Sequence, residues 1–293
     1  MSIRPLQIRK STFDWTRVYV MGIVNVTPDS FYDGGRYVEP AAAIEHGLQL
    51  AEEGADLLDV GGESTRPKGP YGHGAEPLST RQELARVLPV IEGIRHHSVV
   101  PISIDTYKSE VARAALQAGA DVINDVSGLQ MDPAMPAAAA EFASPIIVNH
   151  MKGTPQNMQV NPEYADLIGE LSIFFKEKIR TLEAASVSRD RILLDPGLGF
   201  GKKYADNLRL IHNIRRFAAL GCPVLIGPSR KSFVGHFAGD LPPAERLEAT
   251  IAAVVLCALS GANLVRVHDV MACARALKLT DAFLKCHNPV ETV

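Results

Sequence analysis

The sequence predicts an α/β protein with a single (β/α)8 barrel of the TIM type, and three observations favour this fold. Short apolar runs rich in Val and Ile alternate with stretches of helical periodicity, and eight such units occupy about 250 residues. The segments "EEGADLLDVGG", "QAGADVINDVSG" and "LSGANLVRVHDV" each pass from a helix end through Gly-Ala into a strand. No Pro/Ser-rich linker divides the chain. These features favour a barrel over an open doubly wound sheet.

Each unit supplies one strand and one helix. The predicted strands cover residues 18–25, 55–61, 100–105, 121–126, 144–150, 191–197, 223–229 and 263–269. The predicted helices cover about residues 39–53, 79–95, 108–118, 133–143, 163–185, 204–219, 244–260 and 270–285. The barrel core is therefore expected over about residues 18–285, within one domain of residues 1–293.

Composition excludes several classes of function. The chain has 293 residues, a formal net charge of -3 and 46% hydrophobic residues, which is atypical of nucleic-acid-binding or disordered proteins. Its beginning, "MSIRPLQIRKSTFDW", lacks the apolar run of a secretory signal, and no later run of about 18 apolar residues suits a membrane. We therefore expect a cytoplasmic protein. Buried thiols are favoured over disulfides or a zinc site for the widely spaced Cys222, Cys257, Cys273 and Cys286.

Polar residues end most of the predicted strands. In a barrel, the active site is built from the carboxyl ends of the strands. The polar strand ends are Asn25, Asp105, Asn124, Asp125, Asn149, His150, Asp195, Arg266 and His268. Each of these alone is typical of a helix cap or a turn. Basic and acidic groups around one mouth, however, indicate a functional site.

Two cationic segments indicate an anionic ligand. Arg266 and His268 lie two residues apart on one strand, so their side chains point to the same side. With Lys231 of "SRKS" they form a cationic arc that suits a phosphate or diphosphate, although a structural salt bridge is the alternative. The segment "GLGFGK" lacks the spacing of a Walker loop, which disfavours nucleotide hydrolysis.

Two long segments identify a resemblance. "VMGIVNVTPDSFYDGG" (20–35) and "GADLLDVGGESTRP" (54–67) resemble the fingerprint segments of the dihydropteroate synthases of folate biosynthesis. "SIDTYKSEVARAALQAGADVINDVSG", "HMKGTPQNMQ", "LLDPGLGFGK", "SRKSF" and "RVHDV" follow in the family's order. The resemblance implies a pterin-binding TIM barrel that joins 6-hydroxymethyl-7,8-dihydropterin diphosphate to 4-aminobenzoate by an SN1-like displacement. It also implies Mg2+ as the cofactor.

The resemblance assigns the pterin contacts. A pterin has a 2-amino group beside a ring N–H, and one carboxylate can accept from both. This role falls to Asp195. Asp105 and Asn124 contact the remaining heteroatoms, and Lys231 lies between the pterin and the aminobenzoate. The catalytic set implied is Asp105, Lys231, Arg266 and His268.

The resemblance also assigns the other two substrate groups. The diphosphate is expected against Asn25, Thr65, Arg66, Arg266 and His268, and Asn25 is also the expected Mg2+ ligand. The 4-aminobenzoate pocket, where sulfonamides compete in this family, is expected to contain Phe31, Pro67, Phe200, Lys231 and Ser232. Two loops are expected to close over the site, the first with Asp29, Phe31 and Asp33, and the second from Glu63 to about Pro77.

Three features depart from the family's pattern. Residues 68–74, "KGPYGHG", lengthen the second loop. Asn149 replaces a methionine that is common in relatives, and a buried amide there needs hydrogen-bond partners. Pro228 occupies a position that is often aliphatic. None of these changes removes a proposed catalytic group.

Two alternative functions share some of these sequence features. A methyltetrahydrofolate-binding methyltransferase domain shares the barrel and pterin pocket but handles no diphosphate, so the "NVTPDSF", "SRKS" and "RVHDV" segments disfavour it. A non-catalytic pterin-binding protein is disfavoured because Asn25, Arg266 and His268 are all present. The resemblance and the apolar "ATIAAVVLCALSGA" segment also favour a homodimer.

Overall fold

The architecture is seen in a computed structural model that describes residues 3–26, 40–64 and 77–287. For residues 68–69 and 72–73 it describes the backbone alone. Over this part of the chain, eight parallel strands form one sheet in the order β10-β9-β8-β7-β4-β3-β12-β11. Their bounds are β3 Tyr19–Asn25, β4 Leu57–Gly61, β7 Ile102–Asp105, β8 Val122–Asp125, β9 Ile146–Asn149, β10 Ile192–Asp195, β11 Leu225–Ile226 and β12 Leu264–Val267.

The sheet closes into a barrel. The first and last strands in its order meet at a parallel bridge between Leu194 and Val224, where the Leu194 amide donates to the Pro223 carbonyl at 2.9 Å. A short antiparallel hairpin, β1 Leu6–Ile8 and β2 Ser11–Phe13, precedes the barrel, and β5 Lys68–Gly69 pairs with β6 Gly72–His73. The predicted (β/α)8 fold is therefore confirmed.

Helices follow the strands and cover the outside of the barrel. Their bounds are α1 Pro40–Glu52, α2 Thr80–His97, α3 Ser109–Ala118, α4 Met135–Glu141, α5 Leu167–Ala184, α6 Tyr204–His212, α7 Ile214–Ala218, α8 Ser232–Phe237, α9 Leu247–Leu259 and α10 Val270–His287. A capping box fixes the start of α2: the Ser79 side chain accepts from the Gln82 amide, and the Gln82 side chain accepts in return from the Ser79 amide.

The strands present opposite faces to two apolar clusters. Outward residues such as Leu58, Ile104 and Val148 pack with the helices in the main core. Inward residues at the amino ends of the strands form a second cluster with the hairpin. Its members are Leu6, Ile8, Phe13, Tyr19, Met21, Leu57, Val122, Ile147, Leu193, Leu225 and Leu264. The hairpin thus closes the amino end of the barrel, and the carboxyl end remains for polar residues.

The structure differs from the predicted elements in three places. The helix expected over 204–219 is divided at Asn213, whose side-chain amide donates to the Arg209 carbonyl at 2.8 Å and competes with continued helix. Helix α8 was not predicted, because six residues that include a glycine carry too little periodicity. The hairpin was also missed, because its strands have three residues each. Within the residues that the structure describes, every helix is too short or too polar to cross a membrane.

The hairpin closure predicts a stability effect at Phe13. This side chain is 2% exposed, and its ring centroid lies 4.7 Å from that of Tyr19. We expect Phe13→Ala to lower the free energy of unfolding by about 3–5 kcal/mol, because a cavity forms in a closed cluster. Urea denaturation measures the change.

The matched control is Ile173→Ala on α5, where the side chain is 68% exposed. This variant should remain within about 0.5 kcal/mol of the parent chain. A Phe13→Ala loss no larger than that of the control would contradict the proposed closure of the barrel.

Candidate active site

A cavity opens at the carboxyl ends of the strands, opposite the hairpin. Most of the side chains that line it are polar, and they come from nearly every strand. The lining residues are Ile23, Asp105, Asn124, Val126, Asn149, Asp195, Phe200, Gly227, Ser229, Lys231, Arg266 and His268. The strand period of two explains this arrangement. Each inward apolar residue of the amino-end cluster is followed two positions later by another inward residue, and that second layer is largely polar.

Arg266 is held between two carboxylates. Its Nε donates to Asp59 Oδ2 at 2.5 Å, and its Nη2 donates to Asp105 Oδ2 at 2.8 Å. Asp59 Oδ2 also accepts from Asn124 Nδ2 at 3.0 Å. Four side chains from β4, β7, β8 and β12 therefore form one connected polar network across the barrel.

Burial governs the charge state of this network. Burial raises the pKa of Asp105 to about 7; the Arg266 guanidinium opposes the shift, and the Asp59 carboxylate adds to it. For Arg266, burial lowers the pKa, but the Asp59 and Asp105 carboxylates outweigh it, so the net shift is upward. Arg266 thus remains a cation, while Asp105 is poised to exchange a proton near neutral pH.

Asp195 and Lys231 face the cavity from adjacent sectors of the barrel. Asp195 is 8% exposed and accepts from the Gly197 amide at 2.8 Å. Burial raises the pKa of Asp195, although the Gly197 amide and Lys231 oppose the shift. Burial lowers the pKa of Lys231 to about 8. Lys231 Nζ donates to the Leu198 carbonyl and lies 4.2 Å from the Phe200 ring centroid, which connects it to the glycine-rich loop.

His268 is oriented by a serine on the neighbouring strand. Ser229 Oγ accepts from the His268 backbone amide at 3.2 Å and lies 2.9 Å from His268 Nδ1. His268 Nδ1 and Ser229 Oγ thus share a hydrogen bond, and this contact and the backbone contact together fix the orientation of the imidazole ring.

Asn149 has one polar atom paired. Its Nδ2 donates to the Val126 carbonyl at 2.7 Å, whereas its buried Oδ1 has no partner among the described residues. A buried amide at position 149 was predicted to need hydrogen-bond partners. Among the described residues, only one of its two polar atoms has a partner. Pro228 precedes Ser229 after β11 and, within the described residues, does not line the cavity.

A buried lysine holds the glycine-rich loop in place. Lys202 is 2% exposed, and its Nζ contacts His150 Nδ1 and the His150 carbonyl at 2.9 Å and the Phe200 carbonyl at 3.0 Å. Burial lowers the pKa of His150 to about 2, and the Lys202 charge adds to this shift. A neutral His150 accepts from Lys202, so the loop after β10 is tied to the end of β9.

A charged cluster closes the base of the second loop. Lys108 Nζ lies 2.5 Å from both Glu63 Oε2 and Glu83 Oε2, and the Tyr107 hydroxyl donates to Glu63 Oε1 at 2.9 Å. Glu63 Oε2 also accepts from the Leu78 amide at 3.3 Å. One carboxylate thus joins the two ends of the loop.

The structure brings together most of the predicted site residues. Those that line the cavity are Asp105, Asn124, Asp195, Phe200, Lys231, Arg266 and His268. Asn25 lies at the carboxyl end of β3, opposite Gly61 of β4, and Ser232 is the exposed first residue of α8. Several predictions lie outside the described residues, namely Asp29, Phe31, Asp33, Thr65, Arg66, Pro67 and the inserted residues 70, 71 and 74.

Sequence reasoning missed three buried polar residues. Asp59 stands in the middle of an apolar strand. The alternation of side chains along that strand indicates that Asp59 points into the barrel, so the sequence could have identified it. Ser229 carried no comparable signal, because its role depends on a contact with the next strand along the barrel. Lys202 belongs to the family segment "LLDPGLGFGK", but the sequence carries no signal that its side chain is buried against His150.

Comparisons with known proteins agree with this fold. The family model described as pterin binding enzyme matches residues 21–268. The fold and the cavity thus define a pterin-binding barrel. A dihydropteroate synthase of Synechocystis sp. is 44% identical over 279 residues, which cover 95% of this chain and 94% of the relative.

Two solved structures agree as well. A Xanthomonas albilineans dihydropteroate synthase with 4-aminobenzoic acid has a TM-score of 0.88 at 44% identity, covering 97% of this chain and 99% of that one. The Xanthomonas albilineans enzyme in complex with 7,8-dihydropteroate has a TM-score of 0.84 at 42% identity, covering 96% and 98%. The chain belongs to the dihydropteroate synthase family of pterin binding enzymes.

The raised pKa of Asp105 predicts a pH-dependent stability. Between the ordinary Asp pKa of 3.8 and the raised pKa of about 7, the folded chain holds this proton more tightly than the unfolded chain. The contribution of Asp105 to stability is thus present at low pH and lost as pH rises through 7. The free energy of unfolding of the parent chain should fall, relative to Asp105→Asn, between about pH 5 and about pH 8.

Urea denaturation at both pH values measures this difference. Ser103→Ala is the control, because it alters a buried neighbour on β7 that does not titrate, and its difference from the parent should not vary with pH. If the free energy of unfolding of the parent chain instead rose with pH relative to Asp105→Asn, the Asp105 carboxylate would be stabilised as an ion pair in the fold.

Proposed function

We propose that this chain joins 6-hydroxymethyl-7,8-dihydropterin diphosphate to 4-aminobenzoate, releasing 7,8-dihydropteroate and diphosphate in folate biosynthesis. One observation carries the proposal. The cavity presents carboxylate and amide groups, the buried Asn124 and Asp195 and the partly buried Asp105, beside the cationic groups of Lys231 and Arg266. This combination suits a flat heterocycle with several N–H groups that is joined to an anion. The ligands in the two Xanthomonas albilineans structures support the same substrates.

Asp195 recognises the pterin edge. Its carboxylate accepts from the 2-amino group and the adjacent ring N–H, and the Gly197 amide holds one carboxylate oxygen in place. Asp105 and Asn124 bind the remaining heteroatoms of the ring. Because these groups are buried, an analogue that lacks a matching donor or acceptor leaves one of them unpaired, which gives specificity.

Lys231 serves both halves of the reaction. Its ammonium lies between the pterin site and the 4-aminobenzoate pocket, which Phe200 and Ser232 form with Phe31 and Pro67. The contacts of Lys231 with the Leu198 carbonyl and the Phe200 ring support this assignment. Ser232, the exposed first residue of α8, would line the same pocket.

The diphosphate leaves against a cationic wall. Arg266 and His268, with Asn25, Thr65 and Arg66, bind its oxygens. The bond between the exocyclic methylene and the diphosphate oxygen breaks, and the electron pair leaves with the diphosphate. The dihydropterin ring delocalises the resulting cation, and the lone pair of the neutral arylamine then forms the C–N bond and releases a proton. Catalysis therefore rests on leaving-group stabilisation, exclusion of water and positioning of the amine.

Mg2+ is the cofactor of this proposal, and the residues fit it. The described residues contain no cluster of three or more His, Cys, Asp or Glu side chains arranged to hold a metal ion by themselves. Mg2+ commonly takes one or two protein oxygens and completes its shell with substrate phosphates and water. The Asn25 amide oxygen, at the end of β3, would supply the protein ligand, and the bound ion would neutralise charge on the diphosphate.

The protein is also proposed to act as a cytoplasmic homodimer. Helix α9 supports an interface, because its outer face exposes Ala252 and Leu256, and Leu256 is 52% exposed. Its opposite face packs in the core through Val254 and Cys257. The helix is thus apolar on both sides.

The function predicts different effects for two substitutions. Asp195→Ala should lower turnover at least about 100-fold with loss of pterin binding, because the buried donors of the ring lose their acceptor. Arg266→Ala should lower turnover about 100-fold while pterin binding is largely kept, because the departing charge loses its cation. Turnover is measured as dihydropteroate and diphosphate formed in the presence of Mg2+, and pterin binding by calorimetry with 6-hydroxymethylpterin.

Two controls match these changes. Asp190→Ala alters the segment before the same strand at its other end, and Arg209→Ala removes an arginine whose side chain is 70% exposed. Both should keep turnover within about twofold of the parent chain. Normal turnover in Asp195→Ala would contradict the pterin assignment.

The metal assignment predicts a separate result for Asn25. Chelation of Mg2+ should abolish turnover, and Mg2+ should restore it. Asn25→Ala should raise the Mg2+ concentration needed for half-maximal turnover about tenfold, because one ligand is removed. Asn213→Ala, on the surface between α6 and α7, is the control. Full turnover in excess chelator would overturn the role of the metal.

A further inference from the structure

The carboxylate of Asp59 is fully buried beside the active site and contacts no substrate group in the proposed reaction. It stands in the middle of β4 and is 0% exposed. Among the described residues, Asp59 does not line the cavity, although Asp105 and Arg266 beside it do. A charge in this position lies one layer beneath the ligand.

Asp59 makes contacts that converge on two residues of the cavity wall. One oxygen, Oδ2, accepts both from Arg266 Nε at 2.5 Å and from Asn124 Nδ2 at 3.0 Å. The Asn124 amide is planar, so a hydrogen bond through Nδ2 directs its carbonyl oxygen away from Asp59. One carboxylate thus sets the orientation of an amide and of a guanidinium.

Arg266 retains donors for a ligand while it is held. A guanidinium has five N–H groups in a fixed plane, and Asp59 and Asp105 occupy one on Nε and one on Nη2. Three donors remain. Two carboxylates on two strands therefore fix the plane of the guanidinium, and its remaining edge is available to the anion.

A purely structural role explains these contacts less well. The second oxygen of Asp59, Oδ1, is buried and has no hydrogen-bond partner among the described residues, and the same holds for Ser103 Oγ at the paired position of β7. A buried ion pair with an unsatisfied oxygen contributes little to stability, since apolar residues of similar volume often serve as well or better. The arrangement is better explained by what it holds.

We propose that Asp59 is a positioning residue of the active site: it holds Arg266 for the diphosphate and Asn124 for the pterin without touching either substrate group. This inference rests on the proposed function. In this proposal, a residue beneath the cavity orients the residues that bind the substrate.

The test compares Asp59→Asn with Asp121→Asn. Asp121 is the control, because it also forms a bridge to an arginine, Arg95 Nη2, at 2.7 Å, but the bridge is partly buried and lies at the amino end of the barrel. Asp59→Asn should lower kcat/KM for the dihydropterin diphosphate at least about tenfold, as is typical of residues that orient a binding side chain. Asp121→Asn should keep kcat/KM within about twofold of the parent chain, even if its urea denaturation midpoint falls as far as that of Asp59→Asn.

A double-mutant cycle separates positioning from general damage. In an Arg266→Ala background, Asp59→Asn should cost less than about threefold in kcat/KM, because Asn124 is then the only one of its two partners left to position. An equal loss in both backgrounds would overturn the inference, and so would an Asp59→Asn variant within about threefold of the parent chain.

A second variant covers the case in which Asp59→Asn does not fold. Arg266→Lys keeps the charge, but an ammonium cannot span Asp59 and Asp105 as a planar fork does. It should lower kcat/KM at least about tenfold. Activity within about threefold of the parent chain would show that charge alone suffices and would overturn the role of Asp59 toward Arg266.

Binding of inorganic diphosphate distinguishes this inference from the proposed function. Calorimetry with Mg2+ and inorganic diphosphate should give a Kd at least about tenfold higher for Asp59→Asn than for the parent chain. A parent chain that binds diphosphate but forms no dihydropteroate would contradict the proposed function alone. A parent chain that does not bind diphosphate, or an unchanged Kd in the variant, would overturn the positioning role.

Discussion

The site depends on charged side chains that are buried together at the carboxyl ends of the barrel strands. Asp59, Asp105 and Arg266 form a network in which each carboxylate is stabilised by the guanidinium between them. Removing one partner of such a network leaves an uncompensated buried charge, which is far more costly than losing a surface pair. The chain therefore has to build the remaining elements so that these side chains meet at hydrogen-bond distance.

The amino-end closure makes this possible. Phe13 and the other apolar residues of the hairpin cluster fill the lower half of the barrel, so strand positions below the cavity are fixed by packing. The positions of the inward polar residues in the next layer are therefore fixed as well. A polar network tolerates little displacement because its hydrogen bonds weaken steeply with distance and angle. Stability and binding are thus assigned to opposite ends of the same strands.

The sequence predicted the parts of the fold that carry a repeated signal. All eight strands and most helices were found, because apolar periodicity over a whole unit reports burial directly. The hairpin and α8 were missed, because three to six residues carry too little pattern. At the site, strand-end residues such as Asp195 and Arg266 were found from their position. Asp59 and Ser229 were not, since each acts through a partner on another strand.

The opposite pKa shifts of Asp105 and Lys231 have one physical origin. Burial disfavours any charge, so it raises the pKa of the acid to about 7 and lowers that of the ammonium to about 8. Near neutral pH, each group is therefore partly in its neutral form when no substrate is bound. A ligand that offers N–H groups to Asp105 and negative charge to Lys231 favours ionisation of both. The interaction with such a ligand is then stronger than with a neutral ring, because it also compensates the desolvation of these two groups.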